Sequence, residues 1–136
     1  MVGAWRDYIG AMAWNTFDPA CPTRQLLDRV GDKWTVLVIA VLSERPTRFG
    51  QLRRRVGGVA PKVLTAVLRS LERDGFVRRQ VYTASPLRVE YSLTPLGRSL
   101  AGVVEKLQSW TERQMSKVAK ARARYDAEAK QRALPV

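Results

Sequence analysis

Residues 59 to 75 read VAPKVLTAVLRSLERDG. At helical periodicity Val63, Leu64, Val67, Leu68 and Leu71 gather on one face. Lys62, Thr65, Ala66, Arg69, Ser70 and Arg73 fall on the other. Pro61 suits the first helical turn, and Gly75 suits the position just past the end. The spacing predicts a helix of about four turns with one buried face. Its neighbours decide what the basic face is for.

Upstream, FGQLRRRV (49 to 56) sets Phe49, Leu52 and Val56 on one side and is stopped by Gly57-Gly58. A short helix, a tight glycine turn and a longer helix make a helix-turn-helix. Downstream, FVRRQVY (76 to 82) and VEYSLT (89 to 94) alternate apolar and polar residues around the proline-containing tip TASPLR. These are two strands of a hairpin, and a hairpin in this place makes the motif winged.

Further out, PTRQLLDRV (22 to 30) reads as a helix entered at Pro22 and ended by Gly31. DKWTVLVIAVLS (32 to 43) is rich enough in β-branched residues to suggest a strand. The Asp32 cap, the preceding glycine and the length decide for a buried helix. ERPTRF (44 to 49) is a turn with a short extended piece. Trp5, Tyr8, Ile9 and Met12 lie at helical spacing within residues 3 to 16, and NTFDPACP breaks that pattern. Thr94-Pro95 opens a long helix. Along it Leu96, Leu100, Val103, Leu107 and Trp110 form a coiled-coil-like stripe. The Ala-, Lys- and Arg-rich tail from Ser116 either extends this helix or frays.

The chain of 136 residues carries 24 Lys and Arg against 12 Asp and Glu, a net charge of +12. Between Arg45 and Arg79 stand ten basic and two acidic residues, +8 of that total. So one-sided a charge calls for an acidic partner, nucleic acid or an anionic membrane surface. The longest apolar run, WTVLVIAVL (34 to 42), is too short to span a bilayer. The start, with Arg6 and Asp7 in its middle, makes a poor signal peptide, so a cytoplasmic location without membrane contact is expected.

On a winged helix-turn-helix the partner is double-stranded DNA. The second helix enters the major groove, where Lys62, Thr65, Ala66 and Arg69 reach base edges. Arg48, Gln51 and Pro61 belong to the same surface. Arg53, Arg54, Arg55, Arg78 and Arg79 bracket the phosphates, and Arg88 on the wing reaches a phosphate or the minor groove.

Catalysis has little to draw on. There is no histidine, a single cysteine, no Gly-rich phosphate loop and no convergent carboxylate pair. We expect no enzyme, no cofactor and no metal site of the usual nitrogen and sulfur type. Cys21 precedes Pro22 at the start of a helix, where the helix dipole and Arg24 would lower its pKa. The plainer reading is a small buried residue filling space. As the only cysteine it can form a disulfide only with another molecule.

CPTRQLLDRVGDKWTVLVIAVL, RFGQLRRRVGGVAPKVLTAVLRSLERDGFVRR and VEYSLTPLGRSL together resemble the HxlR family of bacterial winged helix-turn-helix transcription regulators. The likeness runs from Cys21 to Trp110, about two thirds of the chain. Its markers include Cys21-Pro22, the Gly-x-Lys-Trp at 31 to 34, Arg48-Phe49, Lys62-x-Leu64-Thr65 and the Val89 to Thr94 strand. The resemblance implies a mainly α fold with a small β-hairpin, flanked by N- and C-terminal dimerisation helices. The expected parts are an N-terminal helical arm (1 to 20), the winged helix-turn-helix domain (21 to 94) and a C-terminal dimerisation helix with a basic tail (95 to 136). The implied assembly is a homodimer, with Leu96, Leu100, Val103, Leu107 and Trp110 on its seam, bound to a palindromic operator on the bacterial nucleoid. In part of the family the Cys-Pro cysteine senses oxidants, quinones or other electrophiles, a role that would fall to Cys21. One departure is plain: the family commonly has Ser-Gln where this chain has Ala60-Pro61, which removes a capping hydroxyl and a polar side chain near the DNA.

Two alternatives stay open. Trp34, Trp110 and Phe17 could line a pocket for a small aromatic or apolar effector, although core packing accounts for them equally well. The basic face could instead meet an acidic protein, as in a winged-helix interaction module.

Overall fold

The structure, a computed structural model, describes residues 14 to 133. The helix expected over residues 3 to 16 lies outside the described residues apart from Trp14 to Thr16, which are not helical. The chain divides into two compact units, Met1–Ala101 and Gly102–Val136. The elements run α1 (Pro22–Val30), α2 (Lys33–Glu44), β1 (Thr47–Arg48), α3 (Phe49–Arg55), α4 (Pro61–Arg73), β2 (Val77–Tyr82), β3 (Arg88–Leu93) and α5 (Pro95–Ala133).

The Asp32 carboxylate accepts hydrogen bonds from the backbone N–H of Trp34 at 3.1 Å and of Thr35 at 3.2 Å. These bonds satisfy donors that a helix start would otherwise leave unpaired. They explain why a β-branched run becomes helix. α2 then buries Thr35, Val38, Ile39, Val41 and Leu42, and so serves as the central helix of the first unit.

α4 packs against α2 and β2 through Leu64, Leu68 and Leu71, all closed to solvent. Burying each such side chain contributes about 2 kcal/mol. The buried stripe is narrower than the periodicity suggested. Val67 is half-buried, and Val63, expected inside, is 40% exposed. The helix ends where Gly75 takes φ +85°, with its N–H donating to the Glu72 carbonyl and that of Phe76 donating to Leu71. Only glycine adopts this left-handed turn without a Cβ penalty, so Gly75 fixes the direction in which the chain leaves for the wing.

The expected hairpin is part of a three-stranded antiparallel sheet in the order β1-β3-β2. Thr47 pairs with Tyr91 and Arg48 with Glu90 on one side of β3, while Arg79 pairs with Tyr91 on the other. α5 starts from Thr94, whose hydroxyl oxygen accepts from the Gly97 N–H at 3.1 Å and donates to the Gly75 carbonyl. At Gly97 the backbone passes so close to the Phe76 carbonyl that a Cβ would collide with it. The tail continues the helix: α5 extends unbroken to Ala133, 39 residues in all. No helix among the described residues is long and apolar enough to cross a membrane.

Candidate nucleic-acid interface

Burial of Leu64, Leu68 and Leu71 turns the opposite side of α4 to solvent. Lys62, Ala66, Arg69 and Arg73, spaced by four, three and four residues, form one exposed strip there. Among the described residues no ion pair engages Lys62, Arg69 or Arg73, so their charges face water uncompensated. Pro61 is exposed at the first position, and Ala60 caps the helix with no side-chain hydrogen bond, as its lack of a hydroxyl requires. Thr65 is half-buried and donates its hydroxyl to the Pro61 carbonyl at 2.9 Å.

The flanking candidates lie on other elements. Gln51, Arg53 and Arg54 are exposed on α3, Arg48 is exposed on β1, and Arg78 and Arg79 are exposed on β2. Arg55 differs from its neighbours. Its guanidinium forks onto Glu44, with Nη1 to Oε2 at 2.8 Å and Nη2 to Oε1 at 2.9 Å. That hydrogen bond and charge hold the Glu44 carboxyl below its ordinary range and raise the pKa of Arg55. Arg55 is therefore already matched within the chain, a pairing across eleven residues and a turn that sequence spacing does not signal. Arg88 is half-buried, its guanidinium 4.4 Å from the centre of the Tyr82 ring opposite it in the hairpin. Its Nε is buried without a hydrogen-bond partner. It props the base of the wing tip rather than extending freely from it.

Cys21 is a free cysteine at the N-cap of α1, only 1% exposed. Its sulfur accepts from the Thr23 hydroxyl at 3.0 Å and from the Asn15 backbone N–H at 3.4 Å. Burial pushes the thiol pKa up, and so, to a lesser degree, does Asp18; the Thr23 hydroxyl and the N–H groups of Asn15 and Thr23 pull it down. The donors win, and the thiol sits below its ordinary value. The exposed Arg24, expected to share in this, is not among the causes. The hydroxyl two residues on was the signal to read.

Of the aromatic residues suggested for an effector pocket, Trp34 is half-buried and Trp110 belongs to the second unit. Phe17 is 90% exposed. A groove of about 640 Å³ in the first unit is lined by others, among them Trp14, Leu26, Phe76 and Leu96. On α5, Leu96 is 52% exposed and Leu100 half-buried. In the second unit Val103, Leu107 and Trp110 are 63%, 45% and 53% exposed.

A helix-turn-helix with an exposed basic second helix, followed by a β-wing, defines a class: the winged helix-turn-helix DNA-binding regulators. The family model for the HxlR-like helix-turn-helix matches residues 29–119, and the chain belongs to that family. It is 43% identical over 104 residues to the HTH-type transcriptional regulator YtfH of Escherichia coli K12, covering 76% of this chain and 82% of that one. The solved structure of the transcriptional regulator ytfH from Salmonella typhimurium superposes with a TM-score of 0.77 at 40% identity, covering 82% of this chain and 99% of that one. The redox regulator HypR in its reduced form is also similar, with a TM-score of 0.66 and 35% identity over 73% of this chain and 98% of its own. The chain is a transcription regulator, a non-enzymatic role, built on a helix-turn-helix.

Proposed function

We propose that two copies of this chain bind a palindromic operator, each laying α4 in the major groove, in the bacterial cytoplasm. The observation that carries this reading is the strip Lys62, Ala66, Arg69 and Arg73, exposed and unpaired opposite a fully buried leucine face. Lys62 and Arg69 donate to base edges and Arg73 continues the strip; Arg48, Gln51, Arg53, Arg54, Arg78 and Arg79 steady the backbone. The exposed Val103, Leu107 and Trp110 supply apolar surface that pairing with a second α5 would cover.

The test is a salt titration of binding to a selected duplex and to random duplex. The reading expects a steep log–log loss of affinity with salt and a clear preference for one palindrome. Lys62→Ala and Arg69→Ala should each weaken the selected site by about 1 to 3 kcal/mol and leave the fold intact. Leu107→Asp should give a monomer by light scattering. Equal affinity for every duplex, or wild-type binding by both α4 variants, would refute it.

The signal in this reading is modification of Cys21. Its lowered pKa supports thiolate character, and the similarity to HypR, a redox regulator, points the same way. The thiolate adds to an electrophilic carbon of a quinone, forming a C–S bond while the quinone oxygen takes up a proton. Cys21→Ser should hold the operator in the presence of quinone, where wild type lets go.

A further inference from the structure

The entrance to α4 carries a second feature that a basic recognition strip does not require. Val63 is 40% exposed in the first turn of the helix, although the hydrophobic period would have put it inside. Ala66, three residues on and therefore adjacent on the helix surface, is exposed as well, as are Ala60 and Pro61. Residues 60 to 70 hold no Asn, Gln, Asp or Glu. The Thr65 hydroxyl is spent on the Pro61 carbonyl. Between Ala60 and Arg69 the helix therefore offers two strong donors, Lys62 and Arg69, and, apart from the engaged Thr65, carbon; Ser70 beyond them is half-buried.

That inventory limits what can be read. Adenine is read through an amide that both donates and accepts, and cytosine through a carboxylate acceptor. Neither is present on this stretch. Guanine suits the donors. The remaining distinctive feature of the major groove is the 5-methyl of thymine, which apolar side chains recognise.

We propose that Val63 and Ala66 form an apolar reading patch that packs on thymine methyl groups in each operator half-site. The proposal rests on the placement of α4 in the major groove and adds a specificity that its cations cannot supply. Covering one methyl group is worth about fourfold in affinity.

The experiment selects the preferred duplex for the full-length protein from a random library, then replaces each thymine in turn by uracil. Uracil keeps every hydrogen-bonding group and removes only the methyl. We expect about a fourfold loss at one or more positions in each half-site. Val63→Ala should remove that loss at its own position while retaining the wild-type circular dichroism. Two results would overturn the inference: uracil duplexes that all bind like their parent, or a Val63→Ala protein with an undiminished response to uracil. Both leave α4 in the groove. A selection that returns no preferred duplex would instead refute the groove placement, and the methyl patch with it.

Discussion

Arg29 Nε lies 2.6 Å from Asp74 Oδ2, an ion pair fastening the last turn of α1 to the residue that closes α4. The contact is made on charge, since Arg29 Nε has no hydrogen-bond partner of good geometry, and both side chains are partly covered, at 30% and 21% exposure. Cys21 stands at the other end of α1. One short helix thus joins the thiol to the C-terminus of α4.

That strut has a measurable role. Asp74→Ala should lower unfolding stability by about 1 kcal/mol in a denaturant titration, the upper range for a partly exposed pair. If α1 relays modification of Cys21, the same variant should also blunt quinone-induced release of DNA. Full release at wild-type quinone concentrations would remove the pair from the relay.

Arg53, Arg54 and Arg55 should not behave alike. Arg53→Ala and Arg54→Ala should each reduce the salt slope of DNA binding by about 1, the signature of one lost phosphate contact. Arg55→Ala should change it little, because Glu44 already occupies the guanidinium. Glu44→Ala, by freeing Arg55, should strengthen binding to random duplex. Three equal slopes would show that the Glu44 fork opens on DNA.

The Thr23 hydroxyl stabilises the charged form of Cys21, so removing it must raise the thiol pKa. Less thiolate is then present at pH 7. Thr23→Val should slow alkylation of Cys21 by a bimane reagent at neutral pH and move the midpoint of its pH–rate profile upward. An unmoved midpoint would leave the backbone N–H groups of Asn15 and Thr23 as the effective donors.

Gly97→Ala should destabilise the first unit by about 1 to 3 kcal/mol, the usual cost of forcing an atom into packed surroundings. The obstacle is the Phe76 carbonyl, which is backbone and cannot rotate away. Thermal melting reads the loss. Gly102→Ala, where a Cβ meets nothing within 4 Å, should if anything be stabilising.

Elements with a strong local signal were legible in the sequence. The Asp32 cap identified α2, and the Leu64, Leu68 and Leu71 spacing oriented α4. What escaped depends on contacts between residues far apart along the chain. The short extended piece before α3 was legible, but its place in the sheet was not: Thr47–Arg48 is strand because Tyr91 and Glu90 pair with it. Val63 was misplaced because a valine beside a leucine stripe looks buried until the stripe's true width is known. The same limit hid the Arg55 fork and the Asn15 donor to Cys21. The cations of α4 were easier, since on an amphipathic helix the apolar face alone tells which way the others point.

β3 is gripped on both flanks, by β2 and by the two residues that lead straight into α3. Tugging the hairpin therefore drags the start of the helix-turn-helix along with it. The sheet thus couples the hairpin to α3 as a tiller is coupled to its rudder, not as a loose feeler.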